Sequence, residues 1–261
     1  MLPHDDQGAG EPAVLLLHAG IADRGMWTEL AEHIAAEGQR VLAVDLPGFG
    51  DAPLPVGTDA PWVDVLATAD AVGIGRFVVV GCSFGAAVGM RVAALAPERI
   101  AGLLLCSTPL DDVSISEELA GAWEAEETAL AAGDIGAAVE AVLDAWLLPD
   151  APAALRERVG AMQRRAFVTQ ARAPRVEPGL DPISEHPAAL ERLDAPVLVV
   201  VGGRDRREFH DAADLLVHRL PGAHLIVISD AGHLPPLEDP DGFARAVDGL
   251  LALAADDATE R

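Results

Sequence analysis

A chain of 261 residues, 51% of them hydrophobic, can bury a sizeable core, as one α/β domain carrying an insertion or as two small domains. Its formal charge of −24 and pI of about 4.4 argue against a nucleic acid or an anionic membrane surface as partner. Two cysteines, Cys82 and Cys106, are too few for a disulfide framework, so both are expected to be reduced in a cytoplasmic protein. No leader is expected at the start, and no apolar run reaches the ~20 residues of a membrane span.

Residues 13–18 are the first strong strand, leading into a loop through Ala19, Gly20 and Ile21. Trp27, Leu30, Ala31 and Ile34 share one face of a helix that Gly38 stops. Residues 41–45 make a second strand, closed by Leu46-Pro47-Gly48-Phe49-Gly50. A Pro-, Gly- and Asp-rich loop and a short helix to about Val72 follow. Residues 77–82 read as a strand buried on both faces, residues 84–95 as a helix ending before Pro97, and residues 100–106 as another strand. From Leu110 to about Leu193 the strand signal gives way to helical stretches at about 115–132, 135–147 and 152–172, too long for a connecting loop. The sheet pattern resumes at 196–201, followed by a helix around 208–219, a strand over 224–228 and a last helix from Pro240 to about Ala255, with the final residues frayed. This order predicts an α/β fold: a mostly parallel, doubly wound sheet with an inserted helical cap. The core domain is then 1–110 with 194–261, and the cap 111–193.

The organising stretch is Gly81-Cys82-Ser83-Phe84-Gly85. Glycines on both sides let the backbone turn sharply from strand to helix with the serine hydroxyl at the tip. The first N–H groups of that helix then lie where an oxyanion would develop. Asp205 and His233 also fall just after strand ends, and the ends of parallel strands share one edge of the sheet. A serine needs an imidazole to take its proton, and the imidazole needs a carboxylate to hold its tautomer. Plainer readings stay open: Asp205 as a helix start or partner of Arg204, Arg206 or Arg207, Asp111 or Asp112 as the acid instead, and His233 as a turn residue. His18 reads as an organiser of the loop after the first strand, and Asp45 and Pro47 as shapers of theirs.

With Leu17-His18-Ala19-Gly20, Asp45-Leu-Pro-Gly-Phe-Gly50, Gly202-Gly-Arg-Asp205 and Ala231-Gly-His233 added, the chain resembles the α/β-hydrolase family from about Ala13 to Leu253, weakly over the cap. The resemblance implies Ser83 as nucleophile, Asp205 as orienting acid and His233 as base. It implies an oxyanion hole from the backbone N–H of Phe84 and of Gly20, with Ile21 open because His-Ala-Gly replaces the usual His-Gly. The activity implied is a serine hydrolase cleaving a small ester, lactone or thioester through an acyl-enzyme, with no cofactor and no metal. A carbon–carbon bond hydrolase, a cofactor-free perhydrolase, a lyase and a ligand-binding receptor keeping the triad are the alternatives. Ser83 stands where haloalkane dehalogenases and epoxide hydrolases use aspartate, which separates the chain from them. The family usually has two strands before the one over 13–18, so an edge strand is expected to be missing or to lie upstream. Ile21, Trp123, Trp146 and Leu234 are the expected substrate-binding residues, with Leu130, Leu147 and Leu148 adding apolar surface from the cap. Arg156, Arg158, Arg164, Arg165, Arg172 and Arg175 offer a partner for an anionic substrate. The expected partner is a small-molecule substrate, with monomer or homodimer left open.

Overall fold

The apolar runs of the sequence become the inner strands of one sheet in the computed structural model, which describes residues 1–55, 57–171, 176–186 and 188–260. Among the described residues the strands are β1 (His4–Gln7), β2 (Ala13–Leu17), β3 (Val41–Val44), β4 (Thr58–Asp59), β5 (Phe77–Cys82), β6 (Ile100–Cys106), β7 (Glu177–Pro178), β8 (Val197–Gly202) and β9 (His224–Ile228). The α-helices are α1 (Thr28–Ala36), α2 (Pro61–Ala71), α3 (Phe84–Leu95), α4 (Glu117–Ala131), α5 (Ile135–Trp146), α6 (Ala153–Gln170), α7 (Pro182–Glu185), α8 (Arg207–Arg219), α9 (Pro235–Glu238) and α10 (Pro240–Glu260).

The main sheet has the order β1-β3-β2-β5-β6-β8-β9, and all of its pairs are parallel except β1 with β3. β2, β3, β5, β6 and β8 are buried along their whole length, which is why they read as unbroken apolar runs rather than alternating ones. Alternate side chains of β5 serve opposite faces. Val78 and Val80 pack with Ile34 of α1 and with Phe243, Val247 and Leu250 of α10. Phe77 and Val79 pack with Val65 of α2, Val88 and Val92 of α3, and Phe209 and Leu216 of α8. Helices on both faces make the sheet doubly wound.

The chain crosses from β2 to β3 on one side and then returns to β5 on the other, so the strand order reverses between β2 and β5. The loops leaving their carboxyl ends part there and open a crevice. The loop after β2 carries Ala19, Gly20 and Ile21, and the one after β5 carries Ser83. Helices α4, α5 and α6 stand between β6 and β8 in the chain. Ser116 and Asp134 start α4 and α5 by accepting from Leu119 N (3.2 Å) and Ala137 N (2.9 Å), a type of cap worth about 1 kcal/mol.

Of the two strands expected before β2, the described residues hold one, β1, with His4 opposite Val44. Its His-Asp-Asp-Gln sequence is mostly solvent-facing, so it has no apolar pattern to reveal it. The last helix continues to Glu260 instead of fraying after Ala255. The short β4–β7 pair and the single turn α7 had no sequence signal of their own. Among the described residues no helix is long and apolar enough to cross a membrane.

Candidate active site

Ser83 sits at φ 53° and ψ −115°, a left-handed turn that a residue with a side chain adopts at a cost of about 1–3 kcal/mol. The turn is forced by close approach. A Cβ on Gly81 would lie 2.6 Å from the Ala86 backbone, and one on Gly85 would run into the carbonyl oxygens of Leu17 and His18. Ser83 N donates to Cys106 O (2.8 Å), anchoring the turn to the neighbouring strand. The hydroxyl is left at the start of α3, where the first backbone N–H groups have no acceptor within the helix.

Ser83 Oγ lies 2.9 Å from His233 Nε2. His233 Nδ1 lies 3.1 and 3.2 Å from the two carboxylate oxygens of Asp205. The His233 and Asp205 side chains are only 4% and 1% exposed, so these contacts are made with little water. Asp205 Oδ1 also accepts from Arg206 N (2.8 Å). The nearby guanidinium groups are engaged elsewhere: Arg204 with Asp150, Arg206 with Glu118 and Arg207 with Asp211. Asp112 pairs with Arg219, and Asp111 and Asp112 line a separate groove with Phe84 and Trp62, away from His233.

The imidazole is also held by packing. Trp146 and Phe209 lie against His233 at centroid distances of 4.4 and 4.3 Å. Arg206 donates through Nε and Nη2 to Ala145 O (3.1 and 2.9 Å), at the end of α5 that carries Trp146. Glu238 is a residue the sequence reading missed. Its Oε2 accepts from Gly232 N (2.8 Å) and Leu234 N (3.0 Å), the peptide groups on either side of His233. Burial raises the Glu238 carboxyl above its ordinary range, against the opposing pull of those N–H groups. An acid five residues past a histidine, beyond Pro235-Pro236, was its only trace in the sequence.

His18 is fully buried, and burial lowers its pKa. Its Nε2 accepts from Leu46 N (2.9 Å), so the proton sits on Nδ1, which donates to Ala19 O (2.8 Å). The ring thereby stitches the loop after β2 to the loop after β3. Asp45 does the same work from below, accepting from Arg24 N and Asp51 N (both 2.8 Å). Gly20 lies directly against Phe84, since a Cβ there would be 3.4 Å from Phe84 Cβ. The two backbones expected to donate to an oxyanion are therefore neighbours.

A cavity of about 200 Å³ opens beside Ser83. Its floor is Ala19, Gly20, Ile21, Ser83 and His233, and its roof is Trp123 and Glu126 of α4, Val142 and Trp146 of α5, and Gln163 of α6. Ile21, Trp123 and Trp146 line it as expected from sequence. Leu234 does not: it is fully buried in the core cluster that also holds Phe243 and Val247, so its apolar side chain is spent on the core and not on the cavity. The arginines do not line it either. Arg156 pairs with Glu140 and Asp144, Arg158 with Glu29, and Arg165 with Asp23 and Asp51. Arg164 borders a different hollow between α5 and α6, and Arg172 and Arg175 lie outside the described residues. Of the other cap leucines, Leu147 is buried in the core, Leu130 packs against it, and Leu148 lies against Gly232 behind the histidine. Cys82 and Cys106 are free, buried and paired across β5 and β6, and Cys82 Sγ points to His233 O (3.8 Å). Among the described residues no cluster of His, Cys, Asp and Glu is arranged to hold a metal ion.

The sequence profile described as the alpha/beta hydrolase family matches residues 14–246. A 2-hydroxymuconate semialdehyde hydrolase from Pseudomonas putida is 29% identical over 95% of this chain and 90% of its own. A pimeloyl-[acyl-carrier protein] methyl ester esterase from Neisseria meningitidis is 30% identical over 88% of this chain and 89% of its own. Among solved structures, a thermophilic esterase from Thermogutta terrifontis superposes with a TM-score of 0.75 at 28% identity, over 97% of this chain and 93% of the other.

Proposed function

Because this chain belongs to the alpha/beta hydrolase family, we propose that it is a serine hydrolase that cleaves a small ester, lactone or thioester through an acyl-enzyme on Ser83. The observation that carries this reading is the continuous contact from Ser83 Oγ to His233 Nε2 and from His233 Nδ1 to Asp205.

Ser83 Oγ attacks the carbonyl carbon while His233 Nε2 takes its proton. The carbonyl oxygen gains the negative charge and meets the N–H groups of Phe84 and Gly20, fixed in place before the substrate arrives. His233 returns the proton to the leaving group, and the bond to that group breaks. Water enters, gives its proton to His233 and attacks the acyl carbon. The bond from the acyl carbon to Ser83 Oγ then breaks, His233 gives its proton to Oγ, and the acid leaves. Asp205 keeps Nδ1 as the donor side and stabilises the imidazolium formed in each half. This route uses only the chain's own side chains and water. Residues 111–193 act as a cap that roofs the serine, excludes water and selects the substrate, and a cavity of about 200 Å³, below the roughly 300–1,000 Å³ of drug-sized sites, suits a small acyl group.

The likeness to 2-hydroxymuconate semialdehyde hydrolase favours one second reading, a semialdehyde substrate opened by the same three residues. Hydrolysis of p-nitrophenyl acetate and butyrate by the wild type and by Ser83→Ala tests the first. The expected result is turnover by the wild type that vanishes in the variant. Equal rates in both would overturn the assignment of Ser83.

A further inference from the structure

The roof of the cavity contains polar groups that the proposed reaction does not use. Gln163 is 4% exposed, yet its side-chain carbonyl has no hydrogen-bond partner. Among the orphaned buried atoms of the described residues, it alone belongs to a residue lining the cavity beside Ser83. A buried amide without a partner is costly, and native proteins rarely keep one without a reason. Glu126 faces the same space from α4, and among the described residues no arginine lines it. Burial, and then the charge of Glu127, raise the Glu126 carboxyl above its ordinary range. A carboxylate on a bound substrate would therefore meet an acid with no cation to neutralise it.

We propose that Gln163 and Glu126 make the roof a hydrogen-bonding recognition surface, so that the preferred substrate is an uncharged ester or lactone bearing a hydroxyl that pairs with the Gln163 side-chain amide. This rests on the serine-hydrolase reading and narrows it. Gln163 acts in specificity, not in bond cleavage. A site whose buried polar group is completed only by the correct substrate discriminates strongly against the analogue lacking that group. The anionic substrate suggested by the arginine-rich cap sequence is replaced by a neutral one.

The test compares kcat/KM for p-nitrophenyl butyrate, its 2- and 3-hydroxy derivatives and mono-p-nitrophenyl glutarate. The wild type is expected to favour the better hydroxy ester over butyrate by about tenfold or more, and to disfavour the glutarate by a similar factor. Gln163→Met should bring the hydroxy-to-butyrate ratio to near one. Glu126→Gln, at a half-buried position that tolerates the change, should raise the glutarate-to-butyrate ratio and keep the test decisive if Gln163→Met does not fold. A wild-type ratio near one, or ratios unchanged in both variants, would overturn the recognition surface while leaving the hydrolase reading intact. Absence of p-nitrophenolate from every ester with folded wild type would instead overturn the hydrolase reading itself.

Discussion

The two walls of the cavity differ in how their polar groups are satisfied. On the sheet side, Ser83, His233 and Asp205 are bonded to one another, and the peptide groups flanking His233 are tied to Glu238. On the cap side, Gln163 holds an unpaired carbonyl and Glu126 faces the same space with no cation among the described residues that line it. The catalytic side chains of the first wall are paired before any ligand arrives. The second is completed only by something that binds. Under the proposed function, reaction chemistry belongs to the carboxyl edge of the sheet and selectivity to the helices above it, where sequence can change without disturbing the turn that holds Ser83.

Breaking the sheet wall should have the largest effects. Ser83→Ala should lower kcat by about 10⁴-fold or more with the melting temperature nearly unchanged, read from ester hydrolysis and thermal unfolding. By the same measurements His233→Ala should lower kcat as much but also lower the melting temperature, because it empties the space beside Trp146 and Phe209 and leaves Asp205 buried without its partner. Gly85→Ala drives a methyl group into the backbone of the loop after β2. It should destabilise the fold by about 3 kcal/mol, seen as a lower urea midpoint. Glu238→Ala leaves Gly232 N and Leu234 N without their acceptor. About 2 kcal/mol of stability and about tenfold in kcat should be lost, and unchanged values for both would mean that other contacts hold the His233 loop.

The cap wall should respond more gently and with a definite sign. Folding raises the pKa of Glu126, so the folded chain holds this proton more tightly than the unfolded one. Its contribution is favourable at acidic pH and is lost as pH rises through the folded value. Glu126→Gln should therefore melt close to the wild type near pH 4 and above it near pH 7. A difference independent of pH would contradict the placement of this carboxyl in a desolvated roof.

The sheet wall was far more legible in the sequence than the cap wall. Unbroken apolar runs such as residues 77–82 admit little except a buried strand, and a serine bounded by glycines after such a run marks a sharp turn. Polar residues just past strand ends meet because parallel strands share an edge, so order made Ser83, Asp205 and His233 candidates to meet, and the family resemblance chose Asp205 over Asp111 and Asp112. β1 was invisible because a solvent-facing edge strand needs no apolar pattern. Leu234 was misassigned because nearness in sequence to His233 says nothing about which way a side chain points. Arg156, Arg158 and Arg165 are drawn away from the cavity for an electrostatic reason: with 42 acidic residues against 18 basic ones, an arginine on this surface finds a carboxylate before it finds a substrate. Gln163 had no signal, because its meaning is a missing partner, and a missing partner exists only in three dimensions.

The most direct test of the central claim is mass spectrometry of the intact protein and its peptides after reaction with a fluorophosphonate. An activated serine should give a single adduct on Ser83 in the wild type and none in Ser83→Ala. A folded wild type that stays unmodified, or one labelled at another residue while Ser83 remains free, would contradict the account.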